Sequence, residues 1–145
     1  MDSSPKTRPR RRATQGSSRK TFTLEHANRT LPLVRRIVAD IVSQYEAVVE
    51  AQRQLHDLPE NTPADKRHVV EESSRQVVEK LRDLTEELEL IGCELKDWQT
   101  GLIDFPSDHD GHPIYLCWRL GEEAVEHWHE IDAGFAGRQK VDSTF

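Results

Sequence analysis

The sequence predicts an α+β fold in which a long antiparallel helical hairpin precedes a small antiparallel β-hairpin or sheet and a short C-terminal helix. Two patterns of apolar residues predict this fold. As far as Ile91, apolar residues recur every three or four positions, which is the period of an amphipathic helix. After Gly92 the period becomes two, as in a strand with one buried face. A chain of 145 residues has room for one domain with one modest core.

The first helical region contains Pro32. Thr23 is a suitable N-cap for a short helix over residues 24–29, with Phe22 outside it as a hydrophobic staple. Because proline fits the first turn of a helix and disrupts its interior, we expect a second start there and a long helix over residues 31–57. Its apolar stripe comprises Val34, Ile37, Val38, Ile41, Tyr45, Val48 and Leu55.

The next long helix is predicted from Pro63 to Ile91, with Thr62 as its cap and Gly92 just beyond its end. Apolar positions step by four and three, the spacing of a coiled-coil seam. The seam comprises Val70, Ser74, Val77, Leu81, Leu84, Leu88 and Ile91. A short break between two such helices predicts an antiparallel hairpin over residues 24–91. Because two helices cannot bury both stripes alone, the C-terminal region or a second subunit must cover them.

The predicted β-hairpin joins residues 101–105 to residues 114–120 through an Asp-Gly turn at 110–111. With that dipeptide at the tip, Asp104 lies opposite Cys117, and one face of the hairpin is apolar. The opposite face carries the side chains that could take part in binding or catalysis: Asp104, Tyr115, Cys117 and Arg119. Residues 93–96 would add a third strand at the edge.

Residues 122–131 are predicted to form the short C-terminal helix, and a glycine-rich loop over residues 132–138 closes the domain. The apolar face of that helix would comprise Ala124, Val125, Trp128 and Ile131. The domain as a whole is expected over residues 21–139, followed by a tail over residues 140–145.

A basic arm precedes the domain. Residues 1–20 carry seven basic residues and one acidic residue, whereas the rest of the chain carries 13 basic and 25 acidic residues. The basic residues Lys6, Arg8, Arg10, Arg11 and Arg12 are candidates for contact with nucleic acid. A membrane-surface tether and a disordered, solubilising extension are the alternatives. No aromatic residue separates these arginines, so base stacking is not indicated.

The composition points to a cytoplasmic protein. No apolar run approaches the ~18 residues that a membrane span requires. The first residues lack the apolar segment of a secretory signal. Cys93 and Cys117 form neither a disulfide framework nor a CxxC pair, which is typical of a reducing compartment.

Four residues are candidate ligands of zinc or iron. His129 and Asp132 are three apart and would share a face of the predicted helix. If that face meets Asp104 and Cys117 on the β-hairpin, the four side chains form a mixed nitrogen, oxygen and sulfur site. The alternative is a hydrogen bond between His129 and Asp132 that only caps the helix. Likewise, Cys117 could be a nucleophile with His129 as its base, or a strand cysteine that only packs.

The loop Gly134–Arg138 is a weaker candidate. Its backbone amides and Arg138 could hold an anion. A phosphate-binding loop, however, should connect a strand to a helix, and here the loop follows a predicted helix. The alternative is a turn that packs Phe135 back onto the domain while Arg138 pairs with an acidic group.

Three segments carry a family resemblance: FTLEHANRTLP, LKDWQTGLIDFP and GHPIYLCWRLGEEAVEHWHEIDAGFAGRQ. Together they resemble the bacterial domain-of-unknown-function 2203 family, over roughly residues 21–139. The resemblance implies a small cytosolic protein with a helical hairpin and a compact C-terminal motif, and it brings no activity, ligand or catalytic residue. His26 replaces the usual acidic residue, and the basic arm is an addition to the family pattern.

Two functions follow as hypotheses. The first is a non-enzymatic interaction or oligomerisation module, a homodimer formed through the heptad helices. The alternative is a metal-binding protein with a hydrolytic or redox role at Asp104, Cys117, His129 and Asp132. Beside these four, Tyr115, Arg119 and Arg138 are further candidate site residues.

Overall fold

A computed structural model describes residues 20–143 and 145, so most of the predicted basic arm lies outside the described residues. The described chain has two long helices followed by an antiparallel sheet, which confirms the α+β prediction. The helices are α1 (Leu24–His56) and α2 (Ala64–Ile91). The strands are β1 (Glu94–Asp97), β2 (Leu102–His109), β3 (His112–Arg119), β4 (His127–Glu130) and β5 (Gln139–Lys140).

Helix α1 passes through Pro32 without a break, so the predicted division into two helices is wrong. Thr23 caps the helix as predicted, and its hydroxyl oxygen accepts a backbone N–H of the first turn at 3.0 Å. An interior proline costs a helix about 3 kcal/mol. Leu31 and Val34, on either side of Pro32, are 3% and 0% exposed. Their burial in the core compensates for the lost helical hydrogen bond.

Helix α2 begins at Ala64 with Pro63 at the N-cap position, and Gly92 ends it in the left-handed conformation. The predicted cap by Thr62 is wrong, because its hydroxyl donates to the carbonyl oxygen of Pro59 at 2.6 Å. α2 packs along α1 as the second arm of the predicted hairpin. The heptad seam is therefore used within one chain. Its buried members are Ser74, Leu81 and Leu88, and its partly exposed members are Val70, Val77, Leu84 and Ile91.

The sheet is a five-stranded antiparallel meander in the order β1-β2-β3-β4-β5, larger than the two or three strands predicted. The register of β2 and β3 agrees with the prediction, with Asp104 opposite Cys117. Asp110 and Gly111 form the turn with φ values of 54° and 83°, the left-handed conformations that a type I′ turn requires. The alternation of side chains along β2 and β3 is therefore fixed as the sequence indicated.

The predicted C-terminal helix over residues 122–131 is wrong. Residues 127–130 form strand β4 beside β3, and the helical element that follows is only a 3₁₀ turn, Phe135–Gly137. Asn28 of α1 explains the difference. Its side-chain oxygen accepts the backbone N–H of Val125 at 2.8 Å, and its amide donates to the Val125 carbonyl oxygen at 3.1 Å. These bonds occupy backbone groups that a helix would need.

The core lies between the helices and one face of the sheet. Ile103, Phe105, Leu116 and Trp118 are all 0% exposed and pack with the buried residues of α1 and α2. This arrangement leaves the opposite face of the sheet for the polar side chains described below. None of the helices in the described part of the chain is long and apolar enough to span a membrane.

Candidate metal centre

Three neighbouring strands bring Asp104, Cys117 and His129 together on the polar face of the sheet. Asp104 on β2 pairs with Cys117 on β3, and Tyr115, two residues before Cys117, pairs with His129 on β4. Because side chains alternate along a strand, all of them point to the same face. One potential ligand atom from each of Asp104, Cys117 and His129 lies within 4.8 Å of the other two, and all three residues are buried. We call these three residues the triad.

Hydrogen bonds fix the protons of His129. Its Nδ1 lies 2.7 Å from the carbonyl oxygen of Glu130, and because a carbonyl oxygen only accepts, Nδ1 carries a hydrogen. Its Nε2 lies 3.0 and 3.1 Å from the two carboxylate oxygens of Asp104. His129 Nε2 and the Asp104 carboxylate therefore share one further proton, which forms the hydrogen bond between them.

Cys117 is a protonated thiol in this environment. Burial, followed by the nearby Asp104 carboxylate, raises the pKa of Cys117 to about 12, although the positive charge of Arg138 lowers it. A thiol with such a pKa is a poor nucleophile at neutral pH. It becomes a thiolate when a cation replaces its proton, as in zinc sites. The geometry therefore favours Cys117 as a ligand over Cys117 as a nucleophile.

The triad has the donors of a transition-metal site. An imidazole nitrogen, a carboxylate oxygen and a sulfur are ligands that zinc and iron accept in proteins. Since Nδ1 of His129 is held by the Glu130 carbonyl, Nε2 is the nitrogen that faces the other two ligands. A hydrogen bond of this kind orients the metal-binding histidines of known sites.

Asp132 is not part of this group. It lies in the exposed turn after β4, and the helical face on which its pairing with His129 was predicted does not exist. Sequence analysis placed Asp104 and Cys117 together for the correct reason, the alternation of β2 and β3. It added His129 for a reason that the structure does not support.

Arg138, Glu122 and His127 form a second polar cluster beside the triad. Nη2 of Arg138 donates to Oε2 of Glu122 at 2.5 Å and makes a short hydrogen bond to Nδ1 of His127. Burial lowers the pKa of His127, and the charge of Arg138 lowers it further. His127 lies opposite Cys117 on the neighbouring strand, so this cluster lies next to the triad.

Tyr115 and Arg119 lie at the edges of this face. The hydroxyl of Tyr115 donates to the Glu94 carboxylate at 3.1 and 3.2 Å, and the ammonium of Lys96 lies 5.2 Å from the Tyr115 ring centre. Arg119 is exposed, and its guanidinium lies 5.2 Å from the ring centre of Phe135. Neither residue belongs to the triad, but both lie on strand β3 beside it.

The family model described as "Uncharacterized conserved protein (DUF2203)" matches residues 20–141. The chain belongs to the DUF2203 family. The triad and the Arg138 cluster both lie within the matched part of this DUF2203 chain. Comparison with the curated proteins and with the solved structures found no match.

His127 and Glu122 are the members of the DUF2203 polar face that sequence analysis missed. The segment around them was interpreted as a helix, and on a helix His127 would not share a face with His129. In a strand, residues two apart lie on the same face, so His127 and His129 would have been found together. The alternation His127, Trp128, His129 is the pattern of a strand and could have predicted this pairing. A segment of four residues, however, is too short to distinguish a strand from a helix.

Proposed function

We propose that this DUF2203 protein binds one divalent metal ion, zinc or iron, through Asp104, Cys117 and His129. The observation that carries the proposal is the approach of their ligand atoms to within 4.8 Å at a buried position on three adjacent strands. A rigid sheet positions such side chains more accurately than loops do. Asp132 is not included, because it lies in an exposed turn.

The number of protein ligands, three, is typical of a catalytic metal site. Structural zinc sites are closed by four protein ligands, whereas catalytic sites have three and leave one position for water or substrate. A zinc ion at the triad would supply a water of lowered pKa for hydrolysis. Iron at the same ligands would supply redox chemistry. We propose the hydrolytic role for the zinc form and the redox role for the iron form.

The number of protons released on metal binding is a measurable consequence of this site. A metal ion at the triad replaces the proton between His129 and Asp104 and the thiol proton of Cys117. Metal binding should therefore release two protons and strengthen as the pH rises. A His–Asp hydrogen bond beside an inert cysteine, which is the alternative, has no such property.

Zinc titration of protein purified without a histidine tag tests the proposal, with a chromophoric chelator as competitor. We expect one zinc per chain, and loss of binding in Asp104→Asn, Cys117→Ala and His129→Gln. Cys93→Ala and His112→Gln are matched controls, because Cys93 is a buried cysteine of the core and His112 is an exposed histidine. Failure of both zinc and ferrous iron to form a stoichiometric complex would contradict the proposal.

A homodimer is the second proposal, and the half-covered heptad seam supports it. Val70, Val77, Leu84 and Ile91 are only partly buried along α2, and they repeat every seven residues. A second copy of the same stripe would cover them. Light scattering after size-exclusion chromatography should then show a dimer that Leu84→Glu dissociates. Leu90→Glu is the control, because Leu90 is 85% exposed and lies outside the seam. A monomer at high concentration would contradict this proposal.

We also propose a cytoplasmic location, supported by two free, buried cysteines that form no disulfide. Nucleic-acid binding through Lys6, Arg8, Arg10, Arg11 and Arg12 stays a prediction, since these residues lie outside the described chain. Deletion of residues 1–19 should abolish such binding, and added salt should weaken it steeply.

A further inference from the structure

The guanidinium of Arg138 has a buried nitrogen from which no group of the described residues accepts a hydrogen bond. The side chain is 10% exposed, yet Nη1 has no hydrogen-bond partner within the described part of the chain. Leaving a buried charged donor without a partner costs more free energy than leaving a neutral donor without one. A buried donor of this kind takes its acceptor from water or from a ligand.

The neighbours of Arg138 fix the direction of the free nitrogen. Nη2 is occupied by Glu122 and His127, so it is not available to a ligand. The carboxylate of Glu122 is itself held, because its Oε1 accepts the backbone N–H of Arg119 at 2.9 Å. Arg138 directly precedes β5, which pairs with β4 at His127. The guanidinium is therefore positioned by the sheet, and Nη1 is presented in a fixed orientation.

Phe135 covers the flat side of the same guanidinium. Its ring centre lies 4.8 Å from Cζ of Arg138 and 5.2 Å from Cζ of Arg119. Cation–π contacts of this kind stabilise a guanidinium through its face. The hydrogens of Nη1 lie in the plane of the guanidinium, so the ring does not satisfy them. A carboxylate or phosphate oxygen that reaches that edge would bind the arginine in its plane.

We infer that Arg138 is an anion-binding residue beside the triad, and that the ligand of this protein is an oxyanion, a carboxylate or a phosphate. Its position supports the inference, because Arg138 is close enough to Cys117 to act on its charge and bonds the residue opposite Cys117. One oxygen of the ligand would accept from Nη1, and a metal held by the triad would give the anion a further contact. The metal contact rests on the function proposed above, whereas the arginine contact does not.

Calorimetry with two probes tests the inference. Inorganic phosphate and acetate are titrated separately into zinc-loaded and metal-free protein. We expect the preferred anion to bind the zinc-loaded protein more tightly than the metal-free protein. The Arg138→Met variant should bind it about 10-fold more weakly or worse, the usual effect of losing a charge-assisted hydrogen bond. The preference between phosphate and acetate assigns the ligand to one class of oxyanion.

Two further variants keep the test informative if Arg138→Met is unstable. Arg138→Lys retains the charge and the bond to Glu122 but loses the second in-plane nitrogen, so anion binding should also weaken in it. Arg75→Met is the matched control for net charge, because Arg75 is exposed on α2 and pairs with Glu72. Thermal unfolding of each variant shows whether it is folded at the temperature of the titration.

The outcomes separate the two proposals. If zinc binds and anion affinity is equal in wild type, Arg138→Met and Arg138→Lys, the inference about Arg138 is overturned and the metal centre stands. Zinc binding with no measurable binding of either anion has the same meaning. If no metal binds but anion binding to the metal-free protein depends on Arg138, the anion site stands and the metal centre fails.

Discussion

Nε2 of His129 lies 3.0 Å from Oδ1 and 3.1 Å from Oδ2 of Asp104, and the two side chains are 2% and 4% exposed. A buried pair of this kind is costly to desolvate, and replacing it by apolar residues is often neutral for stability. Its presence on an otherwise well-packed sheet therefore favours a chemical role over a structural one. That role depends on the proton that the two groups hold between them.

The first prediction concerns the removal of one partner of this pair. Asp104→Ala should destabilise the fold by about 3 kcal/mol, because it leaves Nε2 of the buried His129 without a partner. Asp104→Asn should cost about 1 kcal/mol, because its amide can donate to Nε2 of a neutral His129. Urea unfolding of the metal-free protein measures both. Equal losses in the two variants would show that an amide cannot replace the carboxylate as the partner of His129.

The second prediction concerns thiol reactivity. Burial raises the pKa of Cys93 to about 12, and burial followed by Asp104 raises the pKa of Cys117 to about 12. At pH 8 only about one thiol in ten thousand would then be ionised. Neither cysteine of the native, metal-free protein should react with a disulfide reagent within minutes, and both should react in denaturant.

A rapid reaction of one native thiol would contradict this result, and Cys93→Ala and Cys117→Ala would identify the residue. A cysteine thiol of the unfolded chain has a pKa of about 9. Above that pH the folded protein still holds the thiol protons of Cys93 and Cys117, so unfolding releases them. Stability should therefore fall as the pH rises from that value towards 12.

Much of the polar face could be predicted from the sequence, and two particular residues show where prediction fails. The Asp-Gly turn fixes the register of β2 and β3, so the pairing of Asp104 with Cys117 was available from the sequence alone. Val125 shows the limit, because its backbone is held by Asn28, 97 residues away. No local pattern contains that contact, and the segment after Val125 has the spacing of a helix as well as that of a short strand.

The predicted helix break at Pro32 was wrong for a related reason. The rule that proline ends a helix weighs one lost hydrogen bond and one steric clash. It does not include the burial of Leu31 and Val34, which is a property of the folded core. Arg138 is the opposite case, since its pairing with an acidic group was one of the alternatives available from the sequence. Only the structure shows that Nη1, beside that pair, has no acceptor among the described residues.

The third prediction concerns the pH dependence that His127 contributes. Burial, followed by the charge of Arg138, lowers the pKa of His127 in the folded protein. The unfolded chain therefore takes up a proton at a higher pH than the folded chain does. The contribution of His127 to stability is fully present above the unfolded pKa of about 6.5 and is lost as the pH falls through that value towards the folded pKa.

Replacement by asparagine tests this contribution, because His127→Asn keeps an acceptor near the position of Nδ1 and does not titrate. The free energy of unfolding should decrease less between pH 7.5 and pH 5 in the variant than in wild type. His112→Gln, which changes an exposed histidine paired with Glu130, is the control. The same decrease in wild type and His127→Asn would show that Arg138 does not hold His127 in the neutral form.

The fourth prediction tests the approach of the sheet to α1. Gly101 has a φ of 73°, and a Cβ there would lie 2.8 Å from Cγ1 of Val38 and 2.9 Å from Cβ of Leu120. Gly101→Ala should therefore cost about 3 kcal/mol, from backbone strain and from the clash together. Gly111 has a φ of 83° with nothing within 4 Å, so Gly111→Ala isolates the backbone strain at about 1 kcal/mol. Urea unfolding measures both values, and equal losses would show that α1 yields at the contact.

The fifth prediction measures the protons that a metal displaces from the triad. Zinc titrations in buffers of different ionisation enthalpy give the number of protons released on binding. We expect two at neutral pH in wild type, one from the pair of His129 and Asp104 and one from the Cys117 thiol. Release of fewer than two protons by wild type, with zinc bound, would place the ion at ligands other than these three.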